Sequence, residues 1–257
     1  MIAPLRLEPC DPRRLLASGS RLALPPRTVH LWAFESARAD TGAAALRDRC
    51  HALLDAAERA RAARFLFAEH RHDYVVFHAV LRSVLARYVG LPATDLAFRA
   101  SEGGKPSLSG VEFSLSHSAD RALLAVSARE PVGADLEHER ADIDVLGIAG
   151  HYFHGAEHVA VCAAASQGAV AARAAFFRHW VAKEAVLKGA GHGLGFPLDR
   201  FGVHFSPGGG VATISSLDAG RVAPDWQLRL LDVGAACPGA VAVRGADWQF
   251  EVPALAD

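Results

Sequence analysis

The chain has 257 residues, 51% hydrophobic and 21% charged, a balance that excludes a disordered protein and suffices for one large domain or two ordinary ones. With 27 Lys and Arg against 28 Asp and Glu, the formal net charge is -1, so bulk nucleic-acid binding finds no support and any anion site must be local. Cys10, Cys50, Cys162 and Cys237 form no Cys-x-x-Cys pair, and no apolar run nears the ~20 residues of a membrane helix.

Met1 to Arg13 lacks a signal-like apolar core, so a soluble cytoplasmic protein is expected. Residues 1–28 are rich in Pro and Arg and read as irregular. Residues 29–34 alternate and carry aromatics, which predicts a strand. Residues 43–67 predict one helix and 70–88 a second, closed by Gly90 and Pro92. Residues 93–100 read as a turn into a strand, and Glu102-Gly103-Gly104-Lys105-Pro106 as a tight loop presenting a lysine. Strands are expected at 111–115 and 122–126, with Ser116-His117-Ser118-Ala119-Asp120 as the polar connection between them. A third short strand at 132–137 carries Asp135 and Glu137. Residues 143–165 look helical despite Gly147, Gly150 and Gly155. The next helix, about 169–188, has no Pro or Gly in its second half and is halted by the glycines from Gly189 to Gly195. Strands follow at 201–205, 226–231 and 240–243, with Gly208-Gly209-Gly210 as a turn.

A weak repeat runs through this order. Each half has a long helix, a proline-led segment and then strands, and runs of helix followed by strands argue an α+β fold. The expected molecule is a pseudo-dimer of two similar lobes, residues 29–130 and 131–257, after an irregular 1–28, with the active site at their interface. A fused repeat already supplies both halves of such a site, so a monomer is expected.

Asp135 and Glu137, at i and i+2 on a strand, point to one face roughly 6–7 Å apart. Trp180, Glu184 and Lys188 rise along one helix face. Each charge alone reads as a solvated surface group. Together the three acids make an oxygen-rich corner suited to Mg2+. Lys188, with Lys183 on the adjoining face, offers the positive charge that phosphoryl transfer needs. Ser116-His117-Ser118 is either an ordinary turn or an anion contact, and no acid is placed behind His117 to make a nucleophilic triad. The Lys105 loop is no Walker loop but can deliver one ammonium. Arg59, Arg61, Arg64 and Arg71 form a basic stripe, read as a solvated face or as a grip on a polyanion. His151, His154 and His158 have helical metal-ligand spacing, but Gly155 interrupts them and no further ligand motif completes a zinc site.

Gly133-Ala134-Asp135-Leu136-Glu137 and Trp180-Val181-Ala182-Lys183-Glu184-Ala185-Val186-Leu187-Lys188, with Phe113-Ser114-Leu115-Ser116-His117-Ser118 and Gly104-Lys105-Pro106 ahead of them, together resemble the Sfp-type 4′-phosphopantetheinyl transferases. The resemblance covers roughly residues 29–245. It implies an enzyme that takes coenzyme A and Mg2+, attaches the phosphopantetheine arm to a serine of an acyl or peptidyl carrier protein and releases 3′,5′-ADP. By position, Asp135, Glu137 and Glu184 would hold the metal. Glu184 would also serve as base, directly or through water, and Lys188, with Lys183 beside it, would act in catalysis at the pyrophosphate. Lys105, Ser116, His117, Arg61, Arg71 and Lys188 would contact coenzyme A. Tyr74 stands where relatives can place a small hydroxyl residue, a departure that touches the adenine contacts. The carrier would meet the seam between lobes, and could belong to fatty acid, polyketide, nonribosomal peptide or aminoadipate pathways. Two rival readings are another Mg2+-dependent phosphotransferase and a non-catalytic module binding coenzyme A or carrier proteins.

Overall fold

The computed structural model describes residues 2–17, 19–100, 104–192, 196–216, 225–234 and 236–254. Its elements in chain order begin with β1 (Leu5–Arg6), α1 (Pro12–Leu16), β2 (Thr28–Glu35), α2 (Ala43–Leu53), α3 (Ala56–Ala63) and α4 (Ala68–Val89). Next come β3 (Arg99–Ala100), β4 (Pro106–Ser107), β5 (Glu112–Ser118), β6 (Arg121–Ser127) and β7 (Val132–Leu136). The second half holds α5 (Val145–Tyr152), α6 (Gly155–Ala165), α7 (Ala169–Ala190), β8 (Phe201–Phe205), β9 (Val211–Ser216), β10 (Trp226–Asp232), β11 (Pro238–Arg244) and β12 (Gln249–Glu251).

Two mixed sheets carry the α+β fold. One has the order β12-β2-β6-β5; the other runs β7-β11-β10-β9-β8, with β1 added against β10. Strand periodicity sorts their side chains into layers. Trp32 and Phe34 on β2, with Leu124 and Val126 on β6, pack under α4. Their neighbours Leu31, Ala33, Leu123 and Ala125 face the opposite way and meet Val132, Ala134 and Leu136 of β7 and Val241 and Val243 of β11. Ala240 and Ala242 face outward again, under Val181, Ala185 and Val186 of α7. The molecule is therefore a pseudo-dimer: two sheets share one apolar layer, and each is covered outside by a helix of 22 residues.

Several sequence expectations need correction. The helix expected over 43–67 breaks at Leu54 and Asp55, because the Asp55 carboxylate caps the backbone N–H of Glu58 and the Glu58 carboxylate caps that of Asp55, starting α3 anew. His154 and Glu157 make the same reciprocal cap at the start of α6, splitting the helix expected over 143–165. Residues 1–28, expected to be irregular, include β1 and α1. Ser116-His117-Ser118 is the end of β5 rather than a connection, paired with Arg121, Ala122 and Leu123 of β6. Gly189 does not stop α7; the stop is Gly191, left-handed at φ 73. Glu102, Gly103, Gly193 and Gly195 lie outside the described residues.

Candidate active site

The site is set by how closely α7 lies on β7. Gly133 has no side chain, and a Cβ there would collide with the carbonyl of Ala185 and the backbone of Gly189. Gly189 in turn accepts the Trp226 ring at a distance no larger residue permits. This close approach brings the last turns of α7 over Asp135, whose side chain points away from the shared layer. Lys188 Nζ donates to Asp135 Oδ1 at 2.5 Å and to Ser116 Oγ at 2.9 Å. Glu184 is one turn back on the same face, 9% exposed.

β7 is the edge of its sheet, and its outer edge faces β5. Side chains of the first lobe satisfy that edge: Lys105 Nζ donates to the Val132 carbonyl at 2.8 Å, Leu136 N–H donates to Ser116 Oγ at 3.4 Å, and His138 N–H to Ser118 Oγ at 3.1 Å. Ser116 then donates to Asp135 Oδ1 and Ser118 to Glu137 Oε2, each at 2.8 Å.

Burial raises the pKa of Asp135 against the pull of Lys188, and raises that of Glu137 against the hydrogen bond from Ser118. Glu184 is lifted to about 7, by burial and then by the negative charge of Asp135, with Lys188 opposing and Glu137 adding to the rise. The three acids thus share one electrostatic neighbourhood. Among the described residues, no group of three or more His, Cys, Asp or Glu side chains is gathered closely enough to hold a metal ion as it stands. The donor set nonetheless fits a hard divalent cation: all three are carboxylates, and Asp135 Oδ2 is buried without a hydrogen-bond partner.

Glu184 lines two cavities. One, about 250 Å³, is walled by Lys105, Pro106, Phe113, Leu115 and Lys188; the other, about 440 Å³, by Tyr152, Trp180, Leu187 and Phe196. His117 points to the other face of β5 from Ser116, against Phe77 of α4 at 5.4 Å between ring centres. The protein around it, then the charges of His78, Lys188 and Arg61, lower its pKa, although the ring reaches solvent. Arg61 lies over the Tyr74 ring at 5.6 Å, and Tyr74 stacks on His78 at 4.0 Å. Arg61 and His117 therefore share a cluster that Tyr74 and His78 complete, and His78 carried no signal in the sequence beyond its place on the helix.

Of the expected site residues, Lys183 is placed elsewhere, while Arg71 and Ser116 have partners within the protein. Lys183, expected beside Glu184 in catalysis, is fully buried: Nζ donates to Glu157 Oε1 at 2.8 Å and to the Phe201 carbonyl at 2.5 Å. One residue of helix turns it about 100° from Glu184, into the contact between α6 and β8. Arg71, expected at coenzyme A, is exposed and donates to the Phe65 carbonyl at 2.9 Å. Ser116, expected at a coenzyme A phosphate, is buried and engaged with Asp135 and Lys188.

Residues 131–237 match the profile of the 4′-phosphopantetheinyl transferase superfamily. The 4′-phosphopantetheinyl transferase HetI of Nostoc sp. is 34% identical over 234 residues, 89% of this chain and 92% of the relative. The chain belongs to the 4′-phosphopantetheinyl transferases. The phosphopantetheinyl transferase of Thraustochytrium sp. is 28% identical over 213 residues, 77% of this chain and 72% of that protein. The 4′-phosphopantetheinyl transferase Sfp of Bacillus subtilis (strain 168) is 29% identical over 169 residues, 64% and 72% of the two chains. As a 4′-phosphopantetheinyl transferase this chain is an enzyme, and its class of reaction is transfer of phosphopantetheine to carrier proteins. No helix among the described residues is long and apolar enough to cross a membrane.

Proposed function

We propose that the enzyme takes phosphopantetheine from coenzyme A, attaches it to a serine of an acyl or peptidyl carrier protein and releases 3′,5′-ADP, with Mg2+ required. The carrying observation is the meeting of Asp135, Glu137, Glu184 and Lys188 at the seam between lobes, with one buried carboxylate oxygen left for a cation. Asp135, Glu137 and Glu184 would hold Mg2+, which supplies charge neutralisation at the pyrophosphate when bound.

Glu184, which lines the same cavity as Lys188, accepts the proton of the carrier serine directly or through water. The serine oxygen bonds to the phosphorus bearing the pantetheine arm as the bond from that phosphorus to the bridging oxygen breaks. Lys188, held in place by Asp135 and Ser116, meets the negative charge growing on that departing oxygen. Lys105 lines the cavity beside Glu184, while Arg61 and neutral His117 offer donors to the 3′-phosphate from the other face of β5. Arg71, exposed and bound to the Phe65 carbonyl, is kept as a further contact to coenzyme A. The enzyme works in this reading as a cytoplasmic monomer.

The test incubates the protein with apo-carrier, coenzyme A and Mg2+ and reads intact mass. A gain of one phosphopantetheine is expected, lost in Asp135→Ala and Glu184→Ala variants that remain folded. Near-normal transfer by either variant sinks the assignment. Lys188→Ala is expected to lower turnover more than coenzyme A affinity; the reverse pattern removes it from the chemistry.

A further inference from the structure

Ser116 and Ser118 stand two residues apart at the end of β5, and Asp135 and Glu137 stand two apart along β7 and just beyond it. The two rows are in step. Ser116 donates to Asp135 Oδ1 and Ser118 to Glu137 Oε2, both at 2.8 Å. A hydroxyl has one proton and two lone pairs. At Ser116 both lone pairs are engaged, by the Leu136 N–H at 3.4 Å and the Lys188 ammonium at 2.9 Å, so its proton is committed to Asp135. At Ser118 the His138 N–H, at 3.1 Å, occupies one lone pair and aims the proton at Glu137. The outcome at Asp135 is asymmetric. Oδ1 is taken by a hydroxyl and an ammonium, while Oδ2 is buried with no partner.

We propose that Ser116 and Ser118 are positioning residues that select which oxygen of Asp135 and of Glu137 is presented to the divalent cation. The inference rests on the reading that these acids hold such a cation. Each serine draws one carboxylate oxygen into a hydrogen bond anchored on a backbone N–H, that of Leu136 at the end of β7 or of His138 just beyond it, fixing the plane of the carboxylate and leaving the other oxygen for the ion. The seam between lobes thereby sets the ligand geometry, since both hydroxyls come from the first lobe and both carboxylates from the second. Outer partners of this kind are worth ~10–100-fold in metal affinity.

The test measures Mn2+ binding to the full chain with coenzyme A present, by electron paramagnetic resonance, alongside coenzyme A affinity and thermal unfolding. Ser116→Ala and Ser118→Ala are each expected to weaken Mn2+ binding by ~10-fold or more with coenzyme A affinity unchanged. Ser118→Thr keeps the hydroxyl and is expected to bind as the parent does. In transfer assays Ser118→Ala should need more Mg2+ for half-maximal rate, with kcat at saturating Mg2+ near the parent value. Ser118 is only half-buried, so it carries the test if Ser116→Ala does not fold. Parent-like Mn2+ affinity in Ser118→Ala overturns the proposal, as does a Ser118→Thr variant as weak as the alanine one. Asp135→Asn separates the two levels. If it loses Mn2+ while Ser118→Ala keeps it, the serine assignment alone falls; if the parent binds no Mn2+, or Asp135→Asn binds it equally well, the cation reading falls with it.

Discussion

Glu184 carries a titration that stability measurements can read. Its pKa is raised from 4.5 to about 7, so over that window the folded state holds a proton that the unfolded state has released. Its contribution to stability is therefore lost as pH climbs from about 4.5 to 7. In metal-free protein, Glu184→Gln should unfold with less loss of stability over this window than the parent, and thermal melts at several pH values check it. Lys183, one residue away, predicts something different. Its ammonium neutralises the fully buried Glu157, so Lys183→Met should cost about 3–5 kcal/mol in denaturant unfolding. Adding Glu157→Gln should recover part of that loss. All four site charges were legible from spacing alone, because Glu184 and Lys188 share a helix face and the two acids alternate on a strand. The role of Lys183 was not, because its partner lies 26 positions earlier on a helix that nothing in the sequence ties to it.

Packing between α7 and β7 makes the elements accountable for the chemistry. Gly133→Ala must push the helix off the strand, at a cost of about 1–3 kcal/mol or more. Because that helix carries both Glu184 and Lys188, transfer per folded molecule should fall with it; unfolding curves and intact-mass assays on the same preparation check both. The long helices were readable from composition and their glycine ends. The end of β5 was not, although Phe113-Ser114-Leu115-Ser116-His117-Ser118 alternates as a strand should. Its polar residues imitate a turn because they face a seam where carboxylates and free backbone groups need hydroxyl partners. The matching two-residue rhythm of Ser-x-Ser and Asp-x-Glu was the available signal.

At the scale of the molecule, both sheets contribute to a single apolar layer, so parting the lobes would expose one apolar face of each sheet to water. Unfolding should then be one cooperative transition, with calorimetric and van't Hoff enthalpies equal; two resolved transitions would contradict the shared layer. The halves themselves were visible as a repeat of helix and strands. Their face-to-face stacking and the placement of β1 and β12 were not, since strands of two and three residues carry no periodic signal. Those two strands trade places: β1 joins the sheet of the second lobe, and β12 lies parallel to β2 in that of the first. On the ribosome, the earlier lobe cannot finish its sheet when its own residues emerge, because β12 is made only after the later lobe's strands. Native assembly is thus held back until nearly all of the polypeptide is available, and a nascent chain stalled after β7 should gain helix but no protease resistance.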